Sequence, residues 1–253
     1  MTMHTLRIDP TPRYPLSPYL YMQFMEPLGT TDSSVEAAWD MARGDWRQDM
    51  LAATRTLAPT MLRWGGCLAS YYRWHEGVGP ISQREPYHNL LWGGIESHRV
   101  GTHEFLSLGR EVGAAPLICV NLEGDGRDHW RIDPDGRPRV GGPEEAAAWL
   151  AYCNDPDNAL RRSHGVKSPY NVRHWQLGNE TSYGHGGWDA QTAAQRTLAF
   201  ARAMRAVDAG VALIGWGDRQ EDGTFWSHTM LDVAGQELDM LASIMDGMND
   251  GNI

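Results

Sequence analysis

Residues 172–180 read Val-Arg-His-Trp-Gln-Leu-Gly-Asn-Glu. The tryptophan and the leucine alternate with polar residues, which is the two-residue period of a β-strand. Gly178 allows the backbone to turn where the strand ends, so Asn179 and Glu180 follow at its carboxyl end. In a parallel sheet with helical crossovers, catalytic side chains collect at that end. An Asn-Glu pair can also simply cap the next helix. The aromatic and glycine-rich loop 181–188 favours a functional site, because it is longer than a helix cap requires.

The rest of the chain alternates strands with helices around this stretch. One short strand is predicted at 6–8, outside the main repeat. The other predicted strands of the main sheet are 19–25, 60–64, 116–120, 211–216 and 238–244. The predicted helices are 46–57, 102–112, 143–152, 191–207 and 225–234. Five β-α units followed by a sixth strand indicate an α/β fold with a parallel sheet.

The amino-acid composition is typical of a globular protein. Its 253 residues are 42% hydrophobic, enough for one domain over residues 1–253 with an N-terminal extension at 1–18. The net charge of -10 argues against partners such as nucleic acid or an anionic membrane. The three cysteines are widely spaced, and the histidines are scattered without ligand spacing, so no disulfide framework, metal or cofactor is predicted. No secretion signal or membrane span is expected, which favours a cytoplasmic location.

The motif at 175–180, Trp-Gln-Leu-Gly-Asn-Glu, resembles the acid/base motif of the α-L-arabinofuranosidases of glycoside hydrolase family 51, a retaining family of (β/α)8 barrels. Further motifs similar to that family occur in the same order at 61–66, 74–80, 101–105 and 116–122. The resemblance runs from about residue 19 to residue 242. It implies a partial (β/α)8 TIM-type barrel and a hydrolase of α-L-arabinofuranosides or related plant-polysaccharide oligosaccharides.

The resemblance also implies roles for particular residues. Glu180 is expected to be the general acid/base, Asn179 to bind the 2-hydroxyl of the sugar, and Glu26 to hydrogen-bond the sugar as well. Cys67 stands where the family usually has an asparagine. The family's nucleophile is a glutamate after the seventh strand, so we expect this chain to be truncated before it. The carboxylates at predicted strand ends that could substitute are Glu26, Glu123, Asp125 and Asp218.

Aromatic residues and one amide complete the predicted site. Flat aromatic faces pack on the C–H faces of sugars, and Trp64, Trp74, Trp92 and Trp188 follow strand ends or lie in glycine-rich loops. Asn121 ends the predicted strand 116–120 and is expected to bind substrate. The loop 70–100 is interpreted as one wall of the pocket, with a packed surface loop as the alternative.

The sequence is compatible with two functions. The first is a glycoside hydrolase with a retaining two-carboxylate mechanism. The second is a non-catalytic or weakly active remnant that binds carbohydrate and needs another chain for the nucleophile. Because a partial barrel leaves strand edges open, we also expect a homo-oligomer.

Overall fold

The computed structural model describes residue 7 and residues 9–26, 35–183, 187–218 and 226–243. Within them, six parallel strands form a curled sheet in the order β1-β2-β3-β4-β5-β6, which is also their order along the chain. The strands are β1 Met22–Met25, β2 Met61–Trp64, β3 Ala115–Val120, β4 His174–Leu177, β5 Ala212–Trp216 and β6 Met240–Ala242. The predicted partial barrel is therefore confirmed.

Helices connect these strands and cover the convex face of the sheet. They are α1 Gln48–Leu57, α2 Thr102–Val112, α3 Pro143–Asn154, α4 Ala159–Ser163, α5 Ala190–Val207 and α6 Trp226–Ala234. Local signals set several helix ends. Pro143 begins α3 with two acidic residues in its first turn, the Asp189 side chain accepts a hydrogen bond from the Thr192 amide at the start of α5, and Gly113 ends α2 in a left-handed conformation.

The two faces of each strand have different partners. In β4, Trp175 and Leu177 are fully buried in the main hydrophobic core, toward the helices. His174 and Gln176 face the concave side of the sheet. β2 follows the same rule, with Trp64 packed against Phe105 of α2 at a ring separation of 5.5 Å. In β2 and β4 the polar residues Arg63, His174 and Gln176 therefore lie on the concave side of the sheet.

Several predicted boundaries differ from the structure. β1 begins at Met22 because residues 19–21 form a turn, in which the Leu20 amide donates to the Ser17 carbonyl. Trp46 precedes α1, in a short strand Asp45–Trp46 that pairs with Trp39–Asp40. β6 is shorter than predicted, and α4 lies between the predicted helix 143–152 and the strand-like stretch at 172–177, where no helix is predicted. Leu6, Ile8, Phe225 and Ile244, which belong to predicted elements, lie outside the described residues.

The segment 70–100 is a packed layer beside the sheet. It contains short 3-10 turns and a hairpin that pairs Tyr87–His88 with Ile95–Glu96. Tyr71, Tyr72 and Tyr87 are buried in the main core. The structure thus supports the packed-loop alternative over the interpretation as a pocket wall.

Candidate active site

A cleft of about 480 Å³ opens on the concave side of the sheet. Its polar part lies at the carboxyl ends of β1, β2 and β4, and its deeper part is lined by apolar side chains of the strands. The polar side chains lining it include Glu26, Arg63, Cys67, Gln176, Asn179 and Glu180. This volume lies in the range of small-molecule sites.

Glu180 enters the cleft from a tight turn after β4. Gly178 has a φ of 76°, and Glu180 itself adopts the left-handed region with a φ of 50°. The Cys67 thiol lies 3.9 Å from Glu180 Oε2 and donates toward it. Arg127 holds the main chain of the turn by donating to the Glu180 carbonyl at 3.1 Å. A non-glycine residue in this backbone region is strained, and such strain is found at functional sites.

Arg63 ties β2 to the end of β4. Its Nη2 donates to Asn179 Oδ1 at 2.7 Å, and its Nε donates to Gln176 Oε1 at 2.9 Å. The Asn179 amide is oriented by this contact, and its Nδ2 lies 3.8 Å from the Cys67 sulfur. Because the amide oxygen is occupied by Arg63, the amide N–H group is the part of Asn179 that can donate toward the cleft.

Glu26 follows β1 directly and meets the loop after β2. The Leu68 amide donates to Glu26 Oε1 at 3.0 Å. Burial raises the pKa of Glu26, and the Glu180 carboxylate raises it further, against the Leu68 and Cys67 amides and Arg63. Gly66 leaves room for this carboxylate, because a Cβ at this position would lie 2.4 Å from Glu26 Cδ.

Cys67 lies between the two carboxylates. Burial raises its pKa to about 12, and the charges of Glu26 and Glu180 add to this rise. The thiol is therefore neutral at physiological pH and can donate a weak hydrogen bond.

A family model described as "Alpha-L-arabinofuranosidase 1 domain" matches residues 53–245. The chain belongs to this α-L-arabinofuranosidase domain family. A probable alpha-L-arabinofuranosidase C of Aspergillus flavus is 34% identical over 71% of the chain and 33% of its own length. An intracellular exo-alpha-(1->5)-L-arabinofuranosidase of Halalkalibacterium halodurans is 31% identical over 84% of the chain and 42% of its own length. The chain thus spans about a third to two fifths of these relatives.

Solved structures agree with this assignment. The crystal structure of an alpha-L-arabinofuranosidase from Thermotoga maritima in complex with arabinose has a TM-score of 0.74 and 31% sequence identity to this chain. The match covers 90% of this chain and 45% of the Thermotoga maritima chain. A family 51 arabinofuranosidase from Xanthomonas axonopodis pv. citri has a TM-score of 0.74 and 29% identity, with 89% and 44% coverage. The chain therefore shares the fold of these structures over about nine tenths of its length.

The structure brings some of the predicted site residues together and places others elsewhere. Glu26, Asn179 and Glu180 share the cleft. Asn121 is buried in the loop after β3, where its Nδ2 donates to the Tyr72 and Arg139 carbonyls at 3.2 and 2.7 Å. Its side chain satisfies main-chain groups of neighbouring loops, so this geometry gives no support for a substrate-binding role.

None of the four predicted tryptophans lines the cleft in the part of the chain that the structure describes. Trp64 faces the helices, and Trp74 stacks on Trp149 with its Nε1 donating to the Glu145 carbonyl. Trp92 is 55% exposed in the turn of the hairpin. Trp188 packs over Gly126. Two of these rings fill packed regions and the other two lie on separate loops, so this geometry gives no support for the predicted aromatic wall.

The four carboxylates that could substitute for the nucleophile also lie in different parts of the structure. Glu123 pairs with Arg196 of α5, and Asp218 accepts a hydrogen bond from Ser182 at 2.7 Å. Asp125 is fully buried. Among the described residues, Glu26 is the one of these four carboxylates that lines the cleft with Glu180.

Sequence reasoning did not predict roles for Arg63 and Gln176. Arg63 stands among apolar residues of a strand, and an arginine at such a position is itself a signal of a buried polar contact. The described residues contain no group of three His, Cys, Asp or Glu side chains placed to hold a metal ion. Nor do they contain a helix long and apolar enough to cross a membrane.

Proposed function

We propose that this chain is part of a glycoside hydrolase that acts on α-L-arabinofuranosides, with Glu180 as general acid/base. The observation that carries this proposal is the convergence of Glu180, Asn179 and Glu26 in one cleft at the carboxyl ends of parallel strands. The names of the relatives, arabinofuranosidases from fungi and bacteria, support the substrate class.

A retaining mechanism assigns two tasks to Glu180. It first protonates the leaving glycosidic oxygen and then, as a base, activates the water that releases the sugar. Asn179, held by Arg63, directs its amide N–H group toward a sugar hydroxyl. Glu26, whose pKa is raised by burial, binds further hydroxyls. The second carboxyl of such a pair stands about 5 Å away, and the resemblance assigns it to a glutamate after a seventh strand.

A carbohydrate-binding protein without turnover is the second candidate. It is favoured by the placement of Glu123, Asp125 and Asp218, which engage other groups and do not line the cleft among the described residues. An intracellular location is proposed for either function, since the Halalkalibacterium halodurans relative is named intracellular.

Turnover of 4-nitrophenyl α-L-arabinofuranoside separates the two candidates. Where the second carboxyl is supplied together with this chain, we expect hydrolysis that falls by at least about a hundredfold in Glu180→Gln, because acid/base catalysis contributes about 10²–10⁴-fold. Glu111→Gln, in a surface pair with Arg55, is the matched control and should leave turnover unchanged.

If no hydrolysis is seen, calorimetry measures whether the chain binds L-arabinose. Binding in the millimolar range with no hydrolysis supports the carbohydrate-binding candidate. The absence of both hydrolysis and binding contradicts both candidates. Where hydrolysis occurs, NMR detection of the anomer first released reports whether configuration is retained.

A further inference from the structure

The loop after β3 has an unusual backbone. Residues Glu123–Gly126 adopt positive φ in succession, at 50°, 68°, 51° and 75°. Two of them are glycines, but Glu123 and Asp125 carry side chains in a region that costs roughly 1–2 kcal/mol per residue. Such conformations persist where the surrounding structure over-determines them, often at functional sites.

The loop places the Asp125 carboxyl under the turn that carries Glu180. Asp125 is completely buried. Its Oδ2 accepts a hydrogen bond from the Ser70 hydroxyl. Its Oδ1 faces Gly178 so closely that a Cβ on this glycine would lie 3.0 Å away. The carboxyl thus packs directly against the backbone of the turn.

The same loop holds the turn at a second point. Arg127 donates from Nη2 to the carbonyls of Glu180 and Tyr183. Neither Asp125 nor Arg127 lines the cleft in the described part of the chain. Both residues therefore act on the main chain of the turn and leave the cleft itself to other side chains.

The charge of Asp125 is adjustable near neutral pH. Burial raises its pKa to about 7, and the Glu180 carboxylate adds to the rise, while the Ser70 hydroxyl, Arg127 and the Asn179 amide oppose it. The ionisable groups facing it from the neighbouring elements are Arg127 on its own loop, Cys67 after β2, Cys119 on β3 and Glu180 after β4.

We propose that Asp125 is a positioning residue for Glu180: it anchors the Gly178–Glu180 turn, and loss of its proton to solvent places a second negative charge behind the acid/base carboxylate. The catalytic meaning of this arrangement rests on the proposed function, whereas the coupling of the two carboxyls does not. No other residue has to move for the charge to act, because the Asp125 carboxyl already contacts the turn.

Backbone amide NMR of Asn179 and Glu180, followed from about pH 5 to about pH 9, tests the coupling. We expect both amide shifts to titrate with a midpoint near pH 7 and this titration to be lost in Asp125→Asn. Asp128→Asn, which removes an exposed carboxylate three residues along the chain, is the matched control and should retain it.

Two further variants keep the test decisive if Asp125→Asn fails to fold. Ser70→Ala removes a group that lowers the pKa of Asp125, so the midpoint should rise. Glu180→Gln removes a charge that raises this pKa, so the midpoint should fall. Amides that do not titrate in the unsubstituted chain, or a titration that survives in Asp125→Asn, overturn the proposal. Failure of the proposed function appears instead as absent arabinoside turnover and binding with the amide titration intact.

Discussion

Gly66→Ala is expected to displace Glu26 from the candidate active site. Gly66 has a φ of 86°, and an added methyl group would lie 2.4 Å from Glu26 Cδ and 2.4 Å from its Oε2. Ordinary van der Waals contact needs at least about 3.4 Å, so the carboxylate has to move by about 1 Å or more. This movement breaks the hydrogen bond from the Leu68 amide to Glu26.

Two contributions set the loss in the free energy of unfolding that Gly66→Ala should cause. The left-handed backbone costs alanine about 1–2 kcal/mol relative to glycine. Loss of a hydrogen bond to a charged acceptor costs about 1–3 kcal/mol. Gly66→Ala should therefore lower the free energy of unfolding by about 2–5 kcal/mol. Gly44→Ala isolates the backbone contribution, because Gly44 has a φ of 65° and nothing lies within 4 Å of its added Cβ. It should lose about 1–2 kcal/mol.

Urea unfolding, monitored by tryptophan fluorescence, measures both values. In a Glu26→Ala background the carboxylate is gone, so Gly66→Ala should cost only about as much as Gly44→Ala. The same Gly66→Ala protein should bind L-arabinose at least about tenfold more weakly if Glu26 contacts the sugar. An equal cost of Gly66→Ala with and without Glu26 would refute the steric argument.

Three further outcomes are expected. Burial raises the pKa of Asp125 from 3.8 to about 7, so between these pH values the folded chain keeps a proton that the unfolded chain loses. The protonated Asp125 therefore stabilises the folded state fully below pH 3.8, and this stabilisation is lost as pH rises through about 7. Urea titrations measure the difference between the unfolding free energies of the unsubstituted chain and of Asp125→Asn, and this difference should fall by about 4 kcal/mol between about pH 4 and pH 8. A difference that does not change with pH contradicts the raised pKa of Asp125. Arg63→Lys loses the two-point contact with Asn179 and Gln176, so arabinose affinity should drop by about tenfold in calorimetry while Arg55→Lys leaves it unchanged. In the described sheet β1 and β6 each pair with one neighbour, so sedimentation velocity should show a homo-oligomer; a monomer at every concentration argues against edge pairing.

The order of the elements and the position of the turn that carries Glu180 follow from the sequence alone. The alternation at 172–177 followed by Gly178 requires a strand that ends before Asn179 and Glu180. Repeated strand and helix patterns leave a parallel sheet as the arrangement that satisfies the backbone. These conclusions depend on local periodicity and on glycine's freedom, and both are properties of short segments.

Which side chains enter the cleft depends on the tertiary fold. Both faces of a barrel strand are buried, one by helices and one by the barrel interior, so periodicity separates the faces without saying which is which. Trp64 and Arg63 are neighbours in sequence, yet Trp64 packs against α2 while Arg63 reaches Asn179 across 2.7 Å. Asn121 ends a strand as Asn179 follows one, but nearby loop carbonyls at Tyr72 and Arg139 bind its amide and hold it out of the cleft. Such partners come from distant parts of the chain, and only folding brings them within hydrogen-bonding distance.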